Sequence, residues 1–153
     1  MIIGVISDTH GRMRENALNE LKGSDIIIHA GDIGSLEVLD ALKNIAPVYA
    51  VKGNTDKGSW AGSLPLTQVV EAEGKFIYVI HDIGTMDLEP KAAGIDIVVY
   101  GHSHSPKKEE RNGVLYFNPG SAGPKRFNLP ICLGRIEIKD DSINAELVDL
   151  SDK

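Results

Sequence analysis

Ile2-Ile3-Gly4-Val5-Ile6-Ser7-Asp8-Thr9-His10-Gly11 opens the chain, and its reading decides the fold. A short, unbroken β-branched run suits a strand covered on both faces. Polar residues follow it at once. Arg14–Leu21 then places Ala17, Leu18 and Leu21 at helical spacing, with Gly23 as a stop. Asp25–His29 is a second apolar run, and it ends at Gly31-Asp32. Ser35 is a good N-cap for a helix carrying Leu36, Leu39 and Leu42, which Pro47 breaks. Val48–Val51 is a third strand, followed by Gly53-Asn54. This β-α-β-α-β order is the grammar of a parallel sheet with right-handed crossovers.

Beyond the long loop Lys52–Ser63 the pattern turns to strands. Thr67–Glu71 and Lys75–Ile80 read as a hairpin joined at Glu73-Gly74. Asp87–Ala93 reads as a short helix with Pro90 in its first turn. Ile95–Tyr100 is a buried strand. Lys107–Arg111, Val114–Phe117, Cys132–Ile138 and Ser142–Leu150 complete the set. Asn112-Gly113 and Asp140-Asp141 join them in pairs. Ile143, Ala145 and Leu147 face one way along the last strand; Asn144, Glu146 and Val148 face the other. There is no repeat, low-complexity segment or linker. The expectation is an α/β fold in one domain spanning 1–153: two mixed β-sheets flanked by helices, an α/β/β/α sandwich.

Composition narrows the function classes. With 153 residues, 42% hydrophobic and 25% charged, the chain has the makings of a globular core and not of a disordered tail. A net charge of -6 gives duplex nucleic acid no electrostatic support. No stretch approaches a membrane span, and Asp8 excludes a secretory apolar segment at the N-terminus. The single cysteine, Cys132, sits in an apolar run and reads as a buried strand residue. A cytoplasmic protein is the expectation, and the apolar β-rich C-terminal half offers a surface for a homodimer.

Asp8, His10, Asp32, Asn54, His81, His102 and His104 each follow the end of an apolar run. In open α/β sheets, ligands bind beyond the carboxyl ends of strands. Five strand ends thus bring seven metal-ligand side chains to one rim. Taken singly, each is more simply a loop cap or a satisfied polar residue. The ordered set points to a metal centre.

The fragments Asp8-Thr9-His10-Gly11, Gly31-Asp32, Gly53-Asn54-Thr55-Asp56, His81, Gly101-His102-Ser103-His104 and Asn118-Pro119-Gly120-Ser121 stand in this order. Nearly the whole chain resembles the calcineurin-like metallophosphoesterases, and most of all their small bacterial and archaeal phosphodiesterases. The resemblance implies that Asp8, His10 and His104 bind one divalent metal and Asn54, His81 and His102 a second. Asp32 would bridge them, its charge offsetting the repulsion of two cations about 3.5–4 Å apart. Imidazole ligands favour Mn, Ni, Fe, Zn or Co over Mg, with Mn the first choice. Asp32, Asn54 and His102 are the expected catalytic residues, acting on a small phosphodiester substrate; Asn54, Thr55 and Arg126 are the expected substrate contacts. Thr55 stands where many phosphomonoesterases of the superfamily have a histidine that helps protonate the leaving group, which tilts the reading toward diesters. The alternatives are a phosphomonoesterase or nucleotidase, and a protein-binding scaffold such as the retromer subunit that shares this fold. His29 has no place among the ligands and reads as a strand-end or supporting residue. Asp82 reads as a solvated loop acid, and Trp60 as a packing residue.

Overall fold

Alternation along the strands builds two layers of core. The computed structural model describes residues 1–126 and 128–151. Its strands are β1 (Ile2–Ile6), β2 (Ile26–His29), β3 (Val48–Ala50), β4 (Thr67–Ala72), β5 (Lys75–Ile80), β6 (Ile97–Val99), β7 (Lys107–Arg111), β8 (Val114–Asn118), β9 (Cys132–Lys139) and β10 (Ser142–Asp149). Its helices are α1 (Glu15–Leu21) and α2 (Leu36–Lys43). One sheet runs β10-β9-β1-β2-β3 and the other β4-β5-β6-β8-β7. Both are mixed: β1-β2-β3 and β5-β6-β8 are parallel, and the outer pairings are antiparallel.

Ile3 and Val5 of β1 face the other sheet, where they meet Ile77 and Val79 of β5, Ile97 and Val99 of β6 and Phe117 of β8. Ile6 and Ile27 face the opposite way, onto Ala17, Leu21, Leu39 and Leu42 of the helices. Phe117 is fully buried between the sheets, and a Cβ on Gly134 of β9 would strike its ring. Phe117→Ala is therefore expected to cost about 3–5 kcal/mol, read from the urea midpoint. Ile143 and Ala145 of β10 join the layer between the sheets, and Val148 joins the helix layer. Cys132 is buried, and burial pushes its thiol up to about 11.

The strand and helix expectations hold to within a residue or two at most ends. Two details differ. Asp87–Ala93 forms no helix. A single 3₁₀ turn, Ile83–Thr85, and a turn closed by the Pro90 carbonyl and the Ile95 amide at 2.9 Å occupy this layer instead. Pro90 has no N–H to give, and it disfavours the helical region for Glu89. These turns lay Ile83, Met86 and Leu88 over Tyr78, Ile80, Val98 and Tyr100 on the outer face of the second sheet. Ser35 does occupy the N-cap of α2, but its side chain makes no capping bond.

The three two-residue hairpins, Glu73-Gly74, Asn112-Gly113 and Asp140-Asp141, have positive φ at both residues. That is the turn geometry whose twist matches the flanking strands. Lys75 reaches across to Asp141 at 2.7 Å, tying two of these turns together.

Candidate metal centre

Six parallel strands end on one rim, and their loops carry the polar residues. β1 leads into Asp8 and His10, β2 into Asp32, β3 into Asn54, β5 into His81, β6 into His102 and His104, and β8 into Ser121. The loops stay paired past the strand ends. Asp8 N donates to Gly31 O at 3.0 Å, His10 N to Asp32 O at 2.9 Å, and Gly101 N to His81 O at 2.9 Å. Close approach is essential here: a Cβ on Gly53 would fall on the backbone nitrogen and Oδ1 of Asp32.

The backbone is held in an unusual state at these positions. Among the described residues, nine other than glycine have positive φ. Four lie in the hairpins. The other five are Asp8, His10, Asp32, His102 and His104. A side chain in the left-handed region costs free energy, so surrounding contacts must hold it there.

Those contacts are specific. Asp8 Oδ2 accepts from Ser7 Oγ at 2.7 Å and from the His102 amide at 3.1 Å. Ser121 Oγ donates to the Asp8 carbonyl at 3.0 Å. Asn118 Nδ2 reaches the Gly101 carbonyl and Ser103 Oγ, both at 3.2 Å. Asp56 accepts from the amides of Gly34 and Gly53 at 3.0 and 2.9 Å, joining two ligand loops. His29 is fully buried. Its Nδ1 accepts from Gly31 N at 3.1 Å, so its Nε2–H donates to Thr9 Oγ1 at 3.0 Å, and the Thr9 hydroxyl donates to Ile33 O at 2.8 Å. Burial pushes this imidazole down to about 3, so it stays neutral.

What remains is a convergence of acceptors. Asp8 Oδ1 is buried without a hydrogen-bond partner. It lies 3.4 Å from His104 Nε2, 3.9 Å from His10 Nε2 and 4.0 Å from His81 Nε2. His81 Nδ1–H donates to the Ala30 carbonyl at 2.8 Å, which turns Nε2 toward Asn54 Oδ1 at 3.0 Å and Asp32 Oδ2 at 3.3 Å. Asp32 Oδ2 is also 3.8 Å from His10 Nε2, and the Nε2 atoms of His10 and His104 are 3.3 Å apart. Imidazole nitrogens and carboxylate oxygens crowd together here, an arrangement that a proton or a cation relieves. Burial disfavours the charge on Asp8, but contacts with His104 and Ser7 and the charge of His81 overcome it and hold the carboxyl low. Burial likewise opposes ionisation of Asp32, and His81 and the Thr55 amide outweigh it.

Two groups of three can each hold a metal ion: Asp8, His10 and His104, and Asp8, Asp32 and His81. Asp8 thus reaches both, and Asp32 Oδ2 lies between His10 and His81. Asn54 adjoins the second group through His81. His102 stands apart from the tight cluster. Its side chain is 47% exposed, its ring stacks edge-on against His81 at 5.2 Å, and its Nε2 lies 3.9 Å from Asp82 Oδ2. Asp82 is a loop acid with its side chain 41% exposed, and that side chain caps the 3₁₀ turn by accepting from the Gly84 amide at 2.9 Å. Thr55 is exposed, and its backbone amide bonds Asp32 Oδ1 at 2.9 Å. Arg126 is exposed and does not line the cleft beside Asn54, His81 and His102; the neighbouring Phe127 lies outside the described residues. Trp60 packs against the helix-side core. Sequence reading assigned no role to Ser7, Asp56 or Asn118, although the second acid of Gly53-Asn54-Thr55-Asp56 and the Asn118–Ser121 motif were visible signals.

Comparison with known proteins places this rim in a family. The model of the calcineurin-like phosphoesterase superfamily domain matches residues 1–141. A probable metallophosphoesterase of Methanocaldococcus jannaschii is 33% identical over 99% of this chain and 83% of its own. The phosphodiesterase YfcE of Escherichia coli is 30% identical over 72% of this chain and 68% of its own. Among solved structures, an archaeal phosphodiesterase superposes with a TM-score of 0.80 at 24% identity, covering 97% of this chain and 100% of the other. Vps29 of Entamoeba histolytica superposes with a TM-score of 0.76 at 24% identity, covering 98% and 99%. These two show the shared fold. With the family model spanning most of its length, the chain belongs to the calcineurin-like phosphoesterase superfamily.

Proposed function

We propose that the protein is a two-metal phosphodiesterase. The observation that carries this reading is the buried, partnerless Asp8 Oδ1 facing three histidine Nε2 atoms. Asp8, His10 and His104 would hold one divalent cation and Asn54, His81 and His102 the other, with Asp32 shared. The mixed imidazole and carboxylate donors suit Mn first, and also Ni, Fe, Zn or Co. Bound cations would supply an acidified water as nucleophile at neutral pH and positive charge to offset that of the phosphate. The chain's own residues set the geometry. Ser7 and the His102 amide fix Asp8, the Thr55 amide fixes Asp32, and the Ala30 carbonyl turns His81 Nε2 inward. Asn54 and Thr55 stand exposed beside the centre, where a phosphate oxygen can meet them.

Thr55 offers a hydroxyl and no imidazole, so help in protonating a poor leaving group is weak. The expected result is that manganese-loaded protein hydrolyses bis-p-nitrophenyl phosphate with a higher kcat/KM than p-nitrophenyl phosphate. A clear preference for the monoester would support the phosphomonoesterase reading instead. Metal uptake without turnover of either ester would favour the scaffold reading, for which the Vps29 likeness is the specific observation. The single buried cysteine suits a reducing, cytoplasmic setting.

A further inference from the structure

A cleft of about 810 Å³ opens beside the centre, past Asn54, His81 and His102. That volume lies at the upper end for small-molecule sites and far exceeds what a phosphate group alone fills. One stretch of its wall is apolar: Leu66, Tyr78 and Ile80, with Leu66 71% exposed and uncovered. Lys52 and Lys57 stand on the wall formed by the Asn54 loop, two residues before Asn54 and three after it. Neither is in an ion pair with a described residue. Of the acids lining the cleft, Asp56 is engaged by the Gly34 and Gly53 amides and Asp82 by the Gly84 amide; Asp87 also lines it.

We propose that this cleft holds one ester group of the substrate, and that this group carries a second phosphate read by Lys52 and Lys57. The inference rests on the phosphodiesterase reading above. Two unpaired ammonium groups in one wall match a doubly charged anion, since lysine binds phosphate as a point charge. The apolar wall suits a ring that links this phosphate to the scissile one, and Asp87 suits a hydroxyl or amine on it. The substrate class is therefore a nucleotide-like phosphodiester with an additional phosphate, not a simple dialkyl or diaryl phosphodiester that carries a single negative charge.

The test is binding to the manganese-loaded protein, by calorimetry, of thymidine 5′-monophosphate and thymidine 3′,5′-bisphosphate. The bisphosphate is expected to bind about tenfold tighter or better, as charge-assisted contacts imply. In Lys52→Gln/Lys57→Gln the ratio of the two affinities is expected to fall below about threefold. Equal affinities in the wild-type protein, no binding of either nucleotide, or a ratio that survives the double substitution would overturn the inference. Hydrolysis of bis-p-nitrophenyl phosphate, measured on the same preparation, decides the phosphodiesterase reading separately: its absence sinks that reading while the affinity ratio still judges the cleft.

Discussion

Replacing Asp32 by Asn is expected to lower kcat/KM for bis-p-nitrophenyl phosphate by more than about a hundredfold, with the circular dichroism spectrum unchanged. Changes to groups that merely support a metal ligand already cost about 10–100-fold, so loss of the carboxylate proposed to be shared by both metals should cost more. The substitution keeps the shape of the side chain, and its Oδ1 can still accept from the Thr55 amide. What changes is the second position. An NH₂ group would replace the oxygen that lies 3.3 Å from His81 Nε2 and 3.8 Å from His10 Nε2. A donor and a lost negative charge then stand where both groups of ligands need an anionic acceptor. Activity within a few-fold of wild type would remove Asp32 from the site.

His29→Leu is expected to weaken both the fold and the centre. The imidazole fills a fully buried space between two ligand loops and satisfies the Gly31 amide and the Thr9 hydroxyl at once. A leucine leaves the Gly31 amide unpaired and removes the donor to Thr9 Oγ1, which keeps its bond to Ile33 O; a buried unpaired group costs about 1–3 kcal/mol. Thr9→Val separates the two effects. It leaves the His29–Gly31 bond in place but removes the Thr9 bonds to His29 and to the Ile33 carbonyl, which tie down the Asp8–His10 loop, so manganese affinity should fall about 10–100-fold. Thr9→Ser keeps the hydroxyl and should restore the affinity. Urea midpoints and manganese titrations read these outcomes. A Thr9→Val protein with wild-type manganese affinity would show that the His29–Thr9 link does not position the ligands.

How much of this was legible in the sequence depends on the range of the contacts. Strand ends were legible because the apolar runs stop abruptly at polar residues or glycine, as at Ile6-Ser7-Asp8 and Tyr100-Gly101-His102. The hairpins were legible for the same local reason: Asn112-Gly113 tolerates positive φ. Asp87–Ala93 misled because Leu88, Ala92 and Ala93 imitate helical spacing, while Pro90 acts through the backbone of its neighbours. The supports of the centre are long-range. Thr9 and His29 are 20 residues apart, and Ser121 and Asp8 are 113 apart. No local pattern announces such a bond. His29 could be set aside as a ligand, but its partner could not be named. The outward turn of His102 toward Asp82 is of the same kind, fixed by a loop conformation with φ of 75° that the residue type does not dictate.

The most direct test of the account is the manganese stoichiometry of the purified chain. Calorimetric titration and elemental analysis after dialysis are expected to give two ions per chain, and Asp8→Asn should abolish at least one of them, because Asp8 belongs to both groups of donors. A wild-type chain that takes up no divalent metal, or an Asp8→Asn chain that binds two as tightly as before, would contradict it.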